Sequence, residues 1–98
     1  MQAGQEIARS PGNPKARRDL VLQEVGEEGL LHDREGELVH ILNLTALITW
    51  RLCDGNRSVD QIAAALRESF SSTEGIDVRR DVEGILARFA ERGLLERN

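Results

Sequence analysis

The chain has few aromatic residues, a single cysteine and no long apolar run. Aromatic side chains make up 3% of its 98 residues, so aliphatic side chains must fill the core around Trp50, Phe70 and Phe89. One cysteine excludes an internal disulfide, which agrees with a reducing compartment. No apolar stretch approaches the roughly 20 residues that cross a bilayer, and the start, MQAGQEIARSPGNPKARR, lacks the apolar centre of a signal peptide. We therefore expect a cytoplasmic protein without a membrane partner.

A basic composition is also absent. The formal net charge is -4, whereas nucleic-acid-binding domains usually present a basic surface. Charged residues are 31% and apolar residues 40% of the chain, which is the balance of a soluble globular protein. The length suits one domain with one modest core. We expect no nucleic-acid partner.

The N-terminal 18 residues differ from the rest of the chain. They contain Pro11, Gly12 and Pro14 and show little apolar periodicity, which predicts a flexible arm. Several basic residues make this arm cationic, but most tails of this kind are simply solvated. The folded domain is expected to span residues 19–98.

Three short extended segments follow the arm. DLVLQEV, LLHD and LVHIL are rich in aliphatic residues and are separated by EEG and REGE, which predict turns of hairpin type. The beginning of the domain is therefore predicted to be a three-stranded antiparallel meander. Side chains alternate along a strand, so the third segment has two faces: Val39 and Ile41 on one, and Leu38, His40 and Leu42 on the other.

Three helices are predicted after the strands. Asn43 suits the N-cap of the first, and the pair Asp54-Gly55 ends it. Ser58 begins a capping box that opens the second helix, and Asp77 can cap the third. Apolar residues recur at helical spacing in the three segments: Leu44, Leu47, Ile48 and Leu52; Val59, Ile62, Ala63, Leu66 and Phe70; Val78, Val82, Ile85, Leu86 and Phe89. This order predicts an α+β fold with a helix-turn-helix core.

The chain shows no converging set of titratable groups, which disfavours an enzyme. His32 and His40 lie in adjacent predicted strands and could face each other, but two histidines without a third ligand make a poor zinc site. Cys53, beside Asp54, is expected to be an unreactive buried thiol, and Trp50 to be partly buried. The glycines match neither phosphate-binding pattern. We expect no catalytic residue, no metal and no cofactor.

The segments VHILNLTALITWRLCDGNRSVDQIAAAL and VRRDVEGILARFAERGLL resemble the PqqD-like family. Its members show an extended segment ending in Leu-Asn, a helix with Ile-Trp, an Asp-Gly turn, a capped helix and a last helix ending in Gly-Leu-Leu. The resemblance runs roughly from Leu20 to Glu96. It implies a winged-helix-like domain that recognises the leader of a ribosomally made precursor peptide. Such a domain presents the leader to a modifying enzyme, which in the PQQ pathway is a radical SAM protein.

The resemblance also implies where the leader binds. It is expected to add a strand to the sheet edge, between the third strand and the third helix. In this chain the edge is Leu38 to Leu42 and the helix is Arg79 to Arg92, whose flanks carry Arg79, Glu83 and Ala90 on one side and Asp81, Arg88 and Arg92 on the other, with Leu86 toward the margin. The implied peptide-binding residues are Leu38, Val39, His40, Ile41, Leu42, Arg79, Glu83, Leu86 and Arg88.

Two other functions suit the same order of elements. A winged-helix regulator would place a helix in the DNA major groove, but the third helix interleaves its arginines with Asp81, Glu83 and Glu91, which repel phosphate. A dimerising interaction domain would pair with a second copy through its open sheet edge. Both remain alternatives to peptide recognition.

Overall fold

In the computed structural model of the chain, residues 13–35, 37–70 and 77–96 are described. Three strands precede three helices: β1 (Val21–Val25), β2 (Glu28–Asp33), β3 (Leu38–Leu42), α1 (Leu44–Leu52), α2 (Val59–Ser69) and α3 (Val78–Glu91). The strands form one antiparallel sheet in the order β1-β2-β3. The predicted α+β fold, a three-stranded meander followed by three helices, is confirmed.

The turn between β1 and β2 consists of Gly26 and Glu27. Gly26 has a φ of 60° and Glu27 does not share that left-handed conformation, as in a type II′ hairpin turn. The sequence prediction placed the turn at residues 27–29, which is wrong because Gly29 lies inside β2. A Cβ at Gly29 would lie 2.9 Å from Cδ1 of Leu47, so this glycine allows α1 to approach the sheet closely.

Each helix begins with a side chain that accepts a backbone hydrogen bond. The Oδ1 atom of Asn43 accepts from the amide of Ala46 at 2.9 Å. Ser58 and Gln61 form a reciprocal capping box at the start of α2. Asp77 accepts from the third amide of α3 at 3.0 Å. The predicted caps are confirmed, and each one pairs a backbone donor that the helix itself leaves free.

The core lies where α1 separates the sheet from the other two helices, since α1 contacts β2, β3, α2 and α3. Trp50 of α1 is buried and packs edge-to-face on Phe89 of α3, with ring centroids 5.6 Å apart. Its burial is more complete than the sequence analysis expected. Thr49 is also fully buried, and its hydroxyl donates to the carbonyl of Thr45 at 2.9 Å. A helix with neighbours on several sides does not follow a single apolar stripe.

The folded unit begins earlier than the boundary predicted at Asp19. The amide of Ala16 donates to the carbonyl of Cys53 at 2.8 Å, and the amide of Arg17 donates to Leu94 at 3.0 Å. Residues 14–17 are therefore held between the turn after α1 and the segment after α3. The remainder of the predicted arm, residues 1–12, lies outside the described residues.

Replacing Gly29 with alanine should destabilise the fold. The new methyl group would lie 2.9 Å from Cδ1 of Leu47 and 3.1 Å from Cδ1 of Leu22, and overpacking of this kind costs about 1–3 kcal/mol. Gly84→Ala is the matched control. Its Cβ would meet one atom, of Arg88, at 3.9 Å, and alanine's higher helix propensity should add up to about 1 kcal/mol. Urea denaturation measures both; a G29A variant as stable as the unsubstituted protein would contradict the close approach of α1.

Candidate functional site

The hydrogen-bonding pattern of the sheet follows from its first turn. A two-residue turn closes with a backbone bond between the residues that flank it, here Val25 and Glu28. Bonded and non-bonded pairs alternate along an antiparallel ladder, so Glu28, Leu30 and His32 of β2 bond to β1. The intervening residues of β2 direct their backbone groups to β3.

This alternation decides which backbone groups of β3 are free of the sheet. The residues of β2 that hydrogen-bond to β3 lie opposite Leu38, His40 and Leu42. Val39 and Ile41 therefore direct their N–H and C=O groups away from β2, toward the open edge. We call these four backbone groups the edge rail. The sequence predicts an exposed edge at Leu38–Leu42, and the register adds that Val39 and Ile41 are the residues that direct backbone groups toward it.

The side chains of β3 divide between two faces of the sheet, as predicted. Val39 and Ile41 are 52% and 65% exposed on the outer face, away from α1. On the inner face, Leu42 is 2% exposed beneath α1, whereas Leu38 at the other end of the strand is 56% exposed. The inner face of β3 is thus closed at its C-terminal end and open at its N-terminal end.

His40 occupies the middle of this inner face. It lies opposite the fully buried Leu31, and its Nε2 atom is buried without a hydrogen-bond partner among the described residues. His32 lies opposite Val39 on the outer face, with its Nε2 3.1 Å from Oε1 of Gln23. The prediction that the two histidines could face each other is wrong, because the register places them on opposite faces of the sheet.

Helix α3 and strand β3 both contact α1 but not each other. Within their described residues, no Cα of β3 lies within 8 Å of a Cα of α3. We call the space between them the edge groove.

The residues predicted on α3 have different environments. Leu86, expected at the margin of the apolar stripe, belongs to the core and is 8% exposed. Nη1 of Arg79 lies 2.6 Å from Oδ1 of Asp60 on α2, and its Nε lies 3.6 Å from Oε2 of Glu83. Arg88 lies on the other flank and is exposed. The structure brings the five strand residues together, and divides the predicted helix residues between a flank tied to α2 and a flank that is not.

A broad polar cleft of about 1110 Å³ lies at the C-terminal end of α3. Nε of Arg17 donates to Oδ1 of Asp19 at 3.0 Å, and this hydrogen bond lowers the pKa of the Asp19 carboxyl below its ordinary value. Nη1 of Arg17 also donates to the carbonyl of Gly93 at 2.9 Å. These contacts hold the N-terminal segment against the residues that follow α3.

The sequence matches one family along most of its length. The family of coenzyme PQQ synthesis protein D (PqqD) matches residues 28–95, which contain β2, β3 and all three helices. The chain belongs to the PqqD family. Strand β1 precedes the matched part, so the PqqD family match includes the edge strand and α3 but not the whole sheet.

A solved structure described as TbiB1 in complex with the TbiA(beta) leader peptide shares the fold. Its TM-score is 0.70 at 21% identity, and the match covers 86% of this chain and 96% of that chain. No curated protein sequence matches significantly. None of the described helices is long and apolar enough to cross a membrane.

Cys53 is a buried free thiol at the end of α1, as expected. Burial raises its pKa from 9.0 to about 12, and the charge of Asp54 adds to the shift. A thiol with this pKa is protonated at neutral pH, which makes it a poor nucleophile. The structure gives Cys53 a packing role.

Cys53 should resist alkylation by iodoacetamide in the folded protein at pH 8 and react after unfolding in urea. The pKa of Cys53 is higher in the folded than in the unfolded protein, so the preference of the folded state for the protonated thiol stabilises the fold. This contribution is present below about pH 9 and is lost as pH rises toward about 12. The free energy of unfolding should therefore fall more steeply over this range than it does in a Cys53→Ala control. Parallel pH profiles for the two proteins would disprove the shift.

Proposed function

We propose that the chain is a non-catalytic peptide chaperone of ribosomal peptide maturation, in PQQ or related biosynthesis. It binds the leader of a precursor peptide by adding it to β3 as a fourth strand, and it presents the leader to a modifying enzyme such as a radical SAM protein. The observation that carries this proposal is the open edge of β3, where Val39 and Ile41 have backbone groups free of the sheet. Membership of the PqqD family and the fold shared with TbiB1 support it.

The rail alone is too weak to hold a leader. Four backbone hydrogen bonds at about 0.5–1.5 kcal/mol each supply about 2–6 kcal/mol. Micromolar binding needs about 8 kcal/mol, and ordering a disordered peptide costs about 2–5 kcal/mol more. Apolar side chains of the leader must supply the difference. The difference is about 4–11 kcal/mol, and at about 1.5–3 kcal/mol for each fully buried side chain it needs roughly two to seven of them.

The same alternation divides the leader into two sets of residues. In an antiparallel added strand, the residues opposite Val39 and Ile41 project from the outer face, and their neighbours project into the groove. The outer face already exposes apolar side chains from two strands: Val21, Val25, Val39 and Ile41. A modifying enzyme that contacts this face would therefore meet the leader and the sheet together.

Leader binding should be visible at the edge of β3. We would titrate the nitrogen-15-labelled chain with the leader of the precursor peptide encoded beside it, and follow backbone amide signals by NMR. Saturable shifts are expected at Leu38–Leu42 and along one flank of α3, with none from an unrelated leader. A response to a DNA duplex alone, confined to the helices, would instead favour a DNA-binding regulator. Light scattering would favour a dimerising domain if it detects dimers without peptide and if these dimers persist when leader is added.

Proline at the rail should block strand addition without breaking the sheet. In Val39→Pro the lost N–H faces the open edge, so no bond to β2 is removed. Loss of one backbone hydrogen bond of about 1 kcal/mol weakens leader binding about fivefold, and steric hindrance adds to this.

Glu24→Pro is the matched control, because by the same alternation its N–H faces the opposite edge of the sheet. Calorimetry should show unchanged leader affinity for E24P and weaker binding for V39P. The reverse result would place the leader on β1 rather than β3.

A further inference from the structure

His40 places an imidazole on the inner face of β3, where the side chain directly opposite is the buried Leu31. Leu38 and Leu42 lie two residues away along the strand, and the charged residue diagonally across, Asp33, is paired with Arg17. The Nε2 atom of His40 is buried and makes no hydrogen bond to any described residue. Leaving a buried polar group unpaired costs about 1–3 kcal/mol, and such groups are rare in folded proteins. Stability considerations alone would favour an apolar side chain here.

The geometry of strand addition brings a new side chain to this imidazole. Val39 and Ile41 bond to the added strand, so the leader residue directly opposite His40 forms a non-hydrogen-bonded pair with it. Such pairs have the closest approach in an antiparallel ladder, about 4.5 Å between Cα atoms, and their side chains share one face. The side chain of this leader residue therefore enters the edge groove beside His40.

We propose that His40 selects the leader by hydrogen bonding, which rests on the proposed function above. The ligand class is an extended peptide whose residue opposite His40 carries a hydroxyl, amide or carboxylate. Two residues away along the leader, an apolar side chain packs on the exposed Leu38. Apolar burial at Leu38 supplies affinity, and the hydrogen bond to Nε2 supplies discrimination, because a leader lacking the polar group leaves the imidazole unpaired.

A double-mutant cycle tests this proposal. Intermolecular NOEs to the amides of Val39 and Ile41 first identify the leader residue opposite His40. Calorimetry then measures how tightly the unsubstituted protein binds the leader of the adjacent precursor, and the same leader with alanine at that residue. Alanine should weaken binding about five- to tenfold, the effect of roughly 1 kcal/mol or slightly more. The second step repeats both titrations with His40→Leu. This variant should bind both leaders alike, and should unfold at the same or a higher urea concentration than the unsubstituted protein.

His32→Leu is the matched control, since it makes the same substitution on the outer face. It should keep the full preference for the polar leader. His40→Gln, which retains hydrogen-bonding capacity, should keep most of it. The proposal is overturned if the H40L variant still discriminates between the two leaders. The proposal is supported if the H40L variant still binds the leader at β3 but no longer distinguishes the two leaders. If no leader binds the unsubstituted protein, the proposed function and this inference both fail, whereas binding at β3 with equal affinity for both leaders overturns the inference alone.

Discussion

The packing of α1 between the sheet and the other helices is the constraint on which the structure depends. Gly29 leaves room for Leu47 to press against the sheet, while the ring of Trp50, about one turn further along α1, meets Phe89 of α3. Because one helix contacts both layers, it fixes the separation of β3 and α3 without a direct contact between them. Strand β3 and helix α3 are thus both anchored on α1.

The sheet adds a second constraint that acts through the backbone alone. A two-residue turn at Gly26-Glu27 determines which residues of β2 bond to β1, and each later strand inherits the alternation. At β3, Val39 and Ile41 direct their backbone groups toward the open edge of the sheet. The same two residues place their side chains on its outer face. Their neighbours direct their backbone groups to β2 and their side chains toward the helices. On one strand, therefore, the residues that form the rail are different from the residues whose side chains face the inner side of the sheet.

Several features were accessible from the sequence because they depend on local interactions. Helix caps such as Asn43 and Ser58 act within three residues, and the inner face of α3 follows from its apolar period. The turn before β2 was misplaced because EEG has favourable turn composition, whereas Gly29 is needed inside the strand by a helix nearly twenty residues away. The boundary of the folded part was placed too late because residues 14–17 are held by the distant carbonyls of Cys53 and Leu94.

The sequence by itself determined the order of the elements, the helix starts and the family resemblance, because propensity, capping and periodicity are properties of neighbouring residues. Only the tertiary structure decided that His32 and His40 lie on opposite faces, that Leu86 is core rather than margin, and that Nε2 of His40 is buried without a hydrogen-bond partner in the described part of the chain. These facts depend on strand register and on which surfaces meet. Register is set by turn geometry and by packing across the sheet, and the burial of one atom depends on side chains far away in the chain.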